Sequence, residues 1–376
     1  MSALRPPLGK ASPGAFLRNA WQKKPLLIRQ AIPSFAGLLE RTTLLSLSAR
    51  DDVESRLIER SPRWAVTHGP LPARAFRGLP PRDWTLLVNG LNLVLPAAEQ
   101  LLRRFAFVPY SRLDDVMVSY AMPGGGVGPH VDSYDVFLLQ GPGRRRWRLA
   151  PPRRWVLAEG QPLRLLENFR HTLEYVLEPG DMLYLPPDWG HDGVALDECW
   201  TYSIGFRAPR GEELAAGFLD YLHERGLPAA TYRDPGRRPA PHPGLLDPHM
   251  LQYAAQALSR IRWTRADVAA FLGRHLSEPK QQVVFEPPRR ALGPAAFHAR
   301  ARRTGLRLDT RSMLLVHGRS VFINGEEHRV DAGARGVLLG LADARCLPGA
   351  ALTGAAPWDL LHDWYRQGWV LTGASA

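Results

Sequence analysis

Two stretches of this chain hold side chains whose types and spacing could do chemistry: "MPGGGVGPHVD", ending at Asp132, and "LEPGDMLYLPPDWGHDG", which contains His191. On a β-strand, side chains two apart share a face, so His130 and Asp132 are expected to point together into a barrel while Val131 points out. In the second stretch the pattern predicts a turn at Gly180–Asp181, a strand through Leu185, and a loop that brings His191 back inward. Two imidazoles and one carboxylate on one face of a metal ion leave about three coordination positions open. Non-haem Fe(II) oxygenases use that arrangement, because O2 and a chelating cosubstrate need the open positions. An H-x-D triplet alone is common; the glycine run before it and the P-G-D-x-L-Y-x-P-P run before the last histidine carry the reading.

The next candidate is Arg145, in "GRRRWRL". Strand alternation puts Arg144, Arg146 and Arg148 on one face and Arg145, Trp147 and Leu149 on the other. If the apolar pair faces inward, Arg145 does too, and a buried guanidinium needs an anion. A carboxylate matches its bidentate fork best. The distal carboxylate of 2-oxoglutarate would serve, and an internal Asp or Glu is the alternative. Ser119, in "DDVMVSYAM", could donate a second hydrogen bond to that carboxylate. Tyr120, Tyr134 and Trp189 are candidate walls of the same pocket.

The elements that must position these groups read as three units. Residues 1–208 form the first. Its runs "PLLIRQ", "RWAVTHGP", "WTLLVNG", "DDVMVSYAM", "DVFLLQGPGRRRWRLA", "LEYVLEPGDMLYLPP" and "CWTYSIGFR" are short and apolar, and Gly and Pro punctuate them. That is the pattern of antiparallel strands in a barrel or sandwich. Residues 209–280 turn helical: Leu214, Phe218 and Leu222 make one stripe, a connector at 227–248 carries six prolines, and helical patterns return near 249–260 and 265–276. So small a helical segment must bury its stripe against the barrel or another subunit. In 285–376, "SMLLVHGRSVFINGEEHRV" predicts two strands and then an Asn324–Gly325 turn. Helices are expected near 294–303, 333–343 and 356–367, which together make a winged-helix-like unit.

Composition narrows the class. The chain has 376 residues, 45% hydrophobic and 22% charged, as in a water-soluble globular protein. No run of eighteen apolar residues appears, and "MSALRPPLGKASPG" lacks the apolar core of a signal peptide, so no membrane partner and a cytoplasmic location are expected. Cys199 and Cys346 are too few for a zinc ribbon or an iron–sulfur cluster. Any metal must therefore use His and carboxylate. The formal charge of +12 points to acidic partners, yet only four of the 48 basic residues are lysines, at 10, 23, 24 and 280. An arginine-rich solvated surface explains that charge as well as a nucleic-acid groove does.

The quoted stretches, with "YSIGFRAP", "WQKKPLLIR", "ESRLIER" and "VTHGPL", resemble the bacterial ribosomal oxygenases of the JmjC/cupin superfamily over most of residues 15–275. The resemblance implies a mixed β and α protein: a double-stranded β-helix barrel, a helical dimerisation region and a winged-helix-like C-terminal domain. It implies Fe(II) at His130, Asp132 and His191, with 2-oxoglutarate held by Arg145 and Ser119 and O2 consumed. It further implies that Asp114 and Ser203 hold a substrate arginine of a large-subunit ribosomal protein, that the protein is a homodimer, and that Asn rather than Thr201 would precede "YSxGF". By strict alternation Asp115, not Asp114, shares the Ser119 face, unless a bulge falls between them. A protein demethylase, a hydroxylase of another protein and a non-catalytic ribosome-binding protein are the competing readings.

Overall fold

Antiparallel pairing sorts the strands of the first two hundred residues into two sheets that face each other. The computed structural model describes residues 5–352 and 354–373; the ends of the first and third expected units, residues 1–4 and 374–376, lie outside the described residues. In chain order the first part contains α1 (Pro13–Asn19), β1 (Leu26–Ile28), α2 (Arg41–Ser48), β2 (Ser55–Glu59), β3 (Ala65–His68), β4 (Trp84–Val88), α3 (Leu91–Val94) and α4 (Pro96–Arg103). There follow β5 (Leu113–Ala121), β6 (Val136–Gln140), β7 (Arg145–Ala150), β8 (Leu173–Leu177), β9 (Met182–Leu185), β10 (Gly190–Ala195) and β11 (Cys199–Phe206).

The larger sheet runs β1-β9-β6-β11-β5-β4-β2-β3 and the smaller one β10-β7-β8. Val136, Leu138, Leu183 and Leu185 of the larger sheet pack inside against Trp147, Leu149 and Leu177 of the smaller. Their sequence neighbours Phe137, Leu139, Met182 and Tyr184 turn outward and join Phe16, Leu44, Leu101 and Phe105 in a second apolar layer. β6 and β11 are buried on both faces for that reason, and β6 reads as a nearly continuous apolar run. The result is the expected double-stranded β-helix.

Helices α2, α3 and α4 are absent from the strand-and-turn reading of this region. Each has eight residues or fewer, shorter than the window in which a 3.6-residue period can be recognised. Two strands were also unread, β2 and β10. The second matters because it carries His191.

The middle of the chain holds α5 (Gly211–Arg225), α6 (Pro248–Ser259) and α7 (Arg265–Ser277), with neither helix nor strand between α5 and α6. Asp247 caps α6 by accepting from His249 N–H at 3.2 Å, and Pro248 occupies its first turn. Thr264 and Asp267 close α7 with a reciprocal capping box. Of the Leu214, Phe218 and Leu222 stripe only Leu222 is buried. Phe218 packs edge-on to Phe271 of α7, 5.5 Å between ring centroids.

The last part contains α8 (Pro294–Thr304), β12 (Leu306–Leu308), β13 (Leu314–His317), β14 (Ser320–Ile323), β15 (Glu326–Arg329), α9 (Ala332–Ala344), β16 (Cys346–Leu347), α10 (Trp358–Arg366) and β17 (Val370–Thr372). Asn324 and Gly325, both at positive φ, turn β14 into β15, so the expected pair of strands is a three-stranded meander. Helix α7 lies on that meander, with Gly273 directly over Phe322. Arg345 ties this part to the barrel through an ion pair to Glu99 at 2.6 Å, and Thr310 Oγ1 donates to Leu93 O at 2.8 Å.

A Cβ at residue 273 would lie 2.4 Å from the Phe322 ring. Gly273→Val is therefore expected to lower stability by about 1–3 kcal/mol, the usual cost of overfilling a packed contact. Chemical denaturation of the variant against wild type checks it; equal midpoints would mean that α7 does not pack this tightly on the meander.

Candidate metal and cosubstrate site

The segment 129–132 is not a strand. His130 makes one isolated bridge, to His191, in which each residue's N–H donates to the other's carbonyl at 2.9 Å. The physical reason lies upstream. The glycine run hugs β10 so closely that a Cβ at Gly126 would lie 2.4 Å from Gly193 O, and Gly124 and Gly128 take positive φ. After that detour the chain touches the sheet at His130 alone before Asp132 accepts a backbone bond from Asp188 N–H at 2.9 Å. Alternation therefore does not aim these side chains; the bridge and the Asp188 contact do.

His191 is the second residue of β10 and is buried, so it reaches the interior from a strand rather than from a loop. The His130 and His191 rings lie 4.1 Å apart, and His191 Nε2 is 3.6 Å from Asp132 Oδ2. One ligand atom from each of His130, Asp132 and His191 falls within 4.8 Å of the others. Each imidazole also has its Nδ1 2.9 Å from a carbonyl, of Gly128 for His130 and of Trp189 for His191. A carbonyl can only accept, so Nδ1 carries a proton in both rings. Burial, and then the neighbouring His130, push the His191 pKa down to about 4 against the pull of Asp132. His191 is thus neutral at pH 7, the form that binds a cation. Two oriented imidazoles and a carboxylate fit a divalent metal with open positions.

Arg145, at the far end of β7 from the His191 partner Leu149, is 3% exposed. Its guanidinium donates to Ser119 Oγ at 3.1 Å, and its Nε is buried with no hydrogen-bond partner. Among the described residues no carboxylate lies within 4.0 Å of it, which removes the internal salt bridge as an explanation. A buried guanidinium without an anion is costly. A small dicarboxylate held here at one end and at the three-residue cluster at the other would satisfy it. Ser119 and Thr201 face each other across β5 and β11, and Thr201 Oγ1 donates to Gln140 Oε1 at 3.3 Å.

Further along β5 the ladder slips. Val116 pairs with Ile204 but Leu113 pairs with Phe206, so Asp114 and Asp115 together oppose Gly205. This bulge brings both carboxylates to the same side as Met117 and Ser119, and Ser203, opposite Met117, shares that side. Asp115 accepts from Gly90 N–H at 2.9 Å, and burial raises its pKa. Two cations attend the pair: Arg207 lies 3.6 Å from Asp114, and Lys280 lies 3.3 Å from Asp114 and 3.6 Å from Asp115. Sequence reading missed both, and only the rarity of lysine marked Lys280 out. Tyr134 feels both groups: its pKa is raised by desolvation and then by the charges of Asp132, Asp115 and Asp114. Tyr120 is not a pocket wall: it lies on the opposite face of β5, packed between Trp84 and Trp200, and donates to Glu198 at 2.6 Å. Trp189 lies half-buried beside the inner apolar cluster.

Comparison with known proteins agrees with this geometry. Residues 100–214 match the model of the JmjC domain, and residues 260–370 match that of the ROXA-like winged helix. The chain is 33% identical over 352 residues, 93% of its length and 92% of the relative's, to the ribosomal protein uL16 3-hydroxylase of Escherichia coli (strain K12). It is 40% identical over 214 residues, 55% of this chain and 52% of the relative, to the probable ribosomal oxygenase of Haemophilus influenzae. The solved structure of YcfD, a ribosomal oxygenase from Escherichia coli in complex with cobalt and 2-oxoglutarate, superposes with a TM-score of 0.82 at 30% identity, covering 96% of this chain and 98% of that one. By that full-length identity, and by a JmjC domain followed by a ROXA-like winged helix, this chain belongs to the ribosomal oxygenases of the JmjC family.

Proposed function

We propose that this protein is an Fe(II)- and 2-oxoglutarate-dependent dioxygenase that hydroxylates an arginine side chain of a large-subunit ribosomal protein, uL16, at carbon 3. The observation that carries the reading is Arg145, a buried guanidinium with an unpartnered Nε and, among the described residues, no anion, at the opposite end of β7 from the strand position that faces His191 of the His130, Asp132 and His191 cluster. The name of the Escherichia coli relative supplies uL16 and the position. The bulged acids Asp114 and Asp115 support a cationic side chain as the target.

The metal ligands in this reading are His130 and His191 through Nε2 and Asp132 through a carboxylate oxygen. When bound, Fe(II) with 2-oxoglutarate and O2 supplies the oxidising power to hydroxylate an unactivated carbon, releasing succinate and CO2. The protein's part is orientation and exclusion of water. The Gly128 and Trp189 carbonyls hold the two rings through Nδ1–H, so no reorientation is needed when a cation arrives. Arg145 and Ser119 hold the distal carboxylate of 2-oxoglutarate, while Trp147, Leu149 and Leu138 keep that floor dry. Asp114, with Asp115 beside it, holds the guanidinium, and Ser203 on the same side holds it with them, so the carbon to be modified is presented to the metal cluster.

The remaining assignments follow the same reading: residues 1–208 as the oxygenase unit, 209–280 as the dimerisation region, 285–376 as the winged-helix-like unit, and a cytoplasmic homodimer. Among the described residues no helix is long and apolar enough to cross a membrane. Dimerisation is supported by α6, which buries none of its residues against its own chain and leaves Leu251 58% and Leu258 67% exposed.

Incubating uL16 with the protein, Fe(II), 2-oxoglutarate and O2 is expected to add one oxygen to one arginine, read by tandem mass spectrometry, and His130→Ala should abolish the gain. Oxidation at another residue type would refute the arginine assignment; succinate formed without any change in uL16 would refute the substrate. Arg145→Gln should raise the Kd for 2-oxoglutarate at least about thirtyfold, as expected when one member of a buried charge pair is lost. Calorimetry reads it, and an unchanged Kd would remove Arg145 from the cosubstrate site. Leu251→Glu with Leu258→Glu is expected to convert the dimer to monomer in sedimentation velocity, whereas a wild type that sediments as monomer would refute the dimer.

A further inference from the structure

Among the described residues Lys280 is the only lysine in an ion pair, and it pairs with the acids that the proposed function assigns to the substrate cation. It stands on the coil that follows α7, where Asp114, Asp115, Arg207 and Lys280 line one cavity between the barrel, α7 and the last part of the chain. Two carboxylates and two cations make that cluster neutral. A third cation would leave net positive charge beside Asp115, a group already desolvated enough for its pKa to be raised. The neutral route is exchange, one cation in and one out.

Which cation can leave follows from how each is held. Arg207 is pinned: its guanidinium donates to Leu276 O at 2.9 Å, and its carbonyl accepts from Arg112 Nε at 2.7 Å. The Lys280 ammonium has the two acids and, among the described residues, no backbone carbonyl, on a flexible four-carbon stem and on coil rather than helix. Burial acts to lower its pKa, but Asp115 and Asp114 more than offset this, so it stays charged in place. A guanidinium, planar and with several fixed donors, uses two adjacent carboxylates better than a point charge does.

We infer that Lys280 is an internal stand-in for the substrate: its ammonium occupies Asp114 and Asp115 when the site is empty and is displaced by the incoming guanidinium. Lys280 thereby sets the affinity a peptide must exceed. This rests on the proposed arginine substrate.

The test is calorimetric binding at pH 8 of two peptides to the full-length protein with Co(II) and 2-oxoglutarate. One is a uL16 peptide centred on the modified arginine, and the other the same peptide with citrulline, which keeps the shape and loses the charge. Wild type, Lys280→Met and Lys280→Arg are compared, with near-ultraviolet circular dichroism as the check on folding. Removing an occupant that fills the acids about nine-tenths of the time tightens binding roughly tenfold. The expected order of Kd for the arginine peptide is therefore Met below wild type below Arg, with no such order for citrulline. A merely structural ion pair gives the reverse, weakening in Lys280→Met and recovery in Lys280→Arg, and that result or three equal Kd values overturns the inference. If Lys280→Met does not fold, Lys280→Arg decides alone: weaker binding supports the stand-in, equal or tighter binding overturns it. A wild type that does not prefer arginine to citrulline removes the arginine reading and the inference together; a wild type that does, without the variant order, removes only the inference.

Discussion

The two backbone hydrogen bonds between His130 and His191 join the glycine run to the edge of the smaller sheet, and the site depends on that junction. They fix the distance between two rings carried by segments sixty residues apart in the chain, and they do so through the residues that carry the rings. Little is left for side-chain rotation to decide, because each Nδ1 is already committed to a carbonyl of its own segment. Preorganisation of this kind is what a weak-field cation site with open positions needs, since every degree of freedom removed before binding is one not lost on binding. The absence of Cβ atoms at Gly126 and Gly193 is the price of the close approach: a side chain at 126 would meet a backbone carbonyl and one at 193 the Trp147 ring.

Charge is arranged along the interior in a sequence that chemistry can use. At one end stands Arg145, with no carboxylate of the described residues beside it, in the middle the two histidines with Asp132, and towards the other end Asp114 and Asp115 with their cations. A small dicarboxylate seated at Arg145 and a cationic side chain at the two acids would therefore flank the metal cluster from opposite sides. β5 supplies both ends, Ser119 toward the arginine and the bulged acids toward the mouth. The slip of one residue in its ladder is what lets a single strand serve both, because a regular strand would turn one of the two acids into the apolar layer behind the sheet.

The parts beyond the barrel bear on the site through a few polar links. Arg345 to Glu99, Thr310 to Leu93 and Lys280 to the two acids cross from the later chain to the barrel, and α7 is wedged on the meander by the Gly273 and Phe322 contact. Displacement of Lys280 would loosen one of these links at the moment a substrate arrives.

Strands with continuous or alternating apolar patterns were legible from residue order, since a two-residue period repeats within four or five positions. So was the meeting of His130, Asp132 and His191, because the glycine run and the P-G-D-x-L-Y-x-P-P run frame them, and so was the inward face of Arg145, from its alternation with Trp147 and Leu149. The short helices α2 to α4 were not, for want of length, nor was β10, whose "GHDGVA" lacks a strand's usual apolar density. The sequence by itself determined the chemistry available: a His-Asp-His set, a buried arginine and a pair of acids within one barrel-forming segment. Only the tertiary structure decided that the H-x-D segment is a bridge rather than a strand, that Asp114 and Asp115 share a side, that Tyr120 belongs to the core and that Lys280 reaches the acids. Each of those depends on a contact between residues distant in the chain, or on a register slip, and neither leaves a period in the sequence to be read.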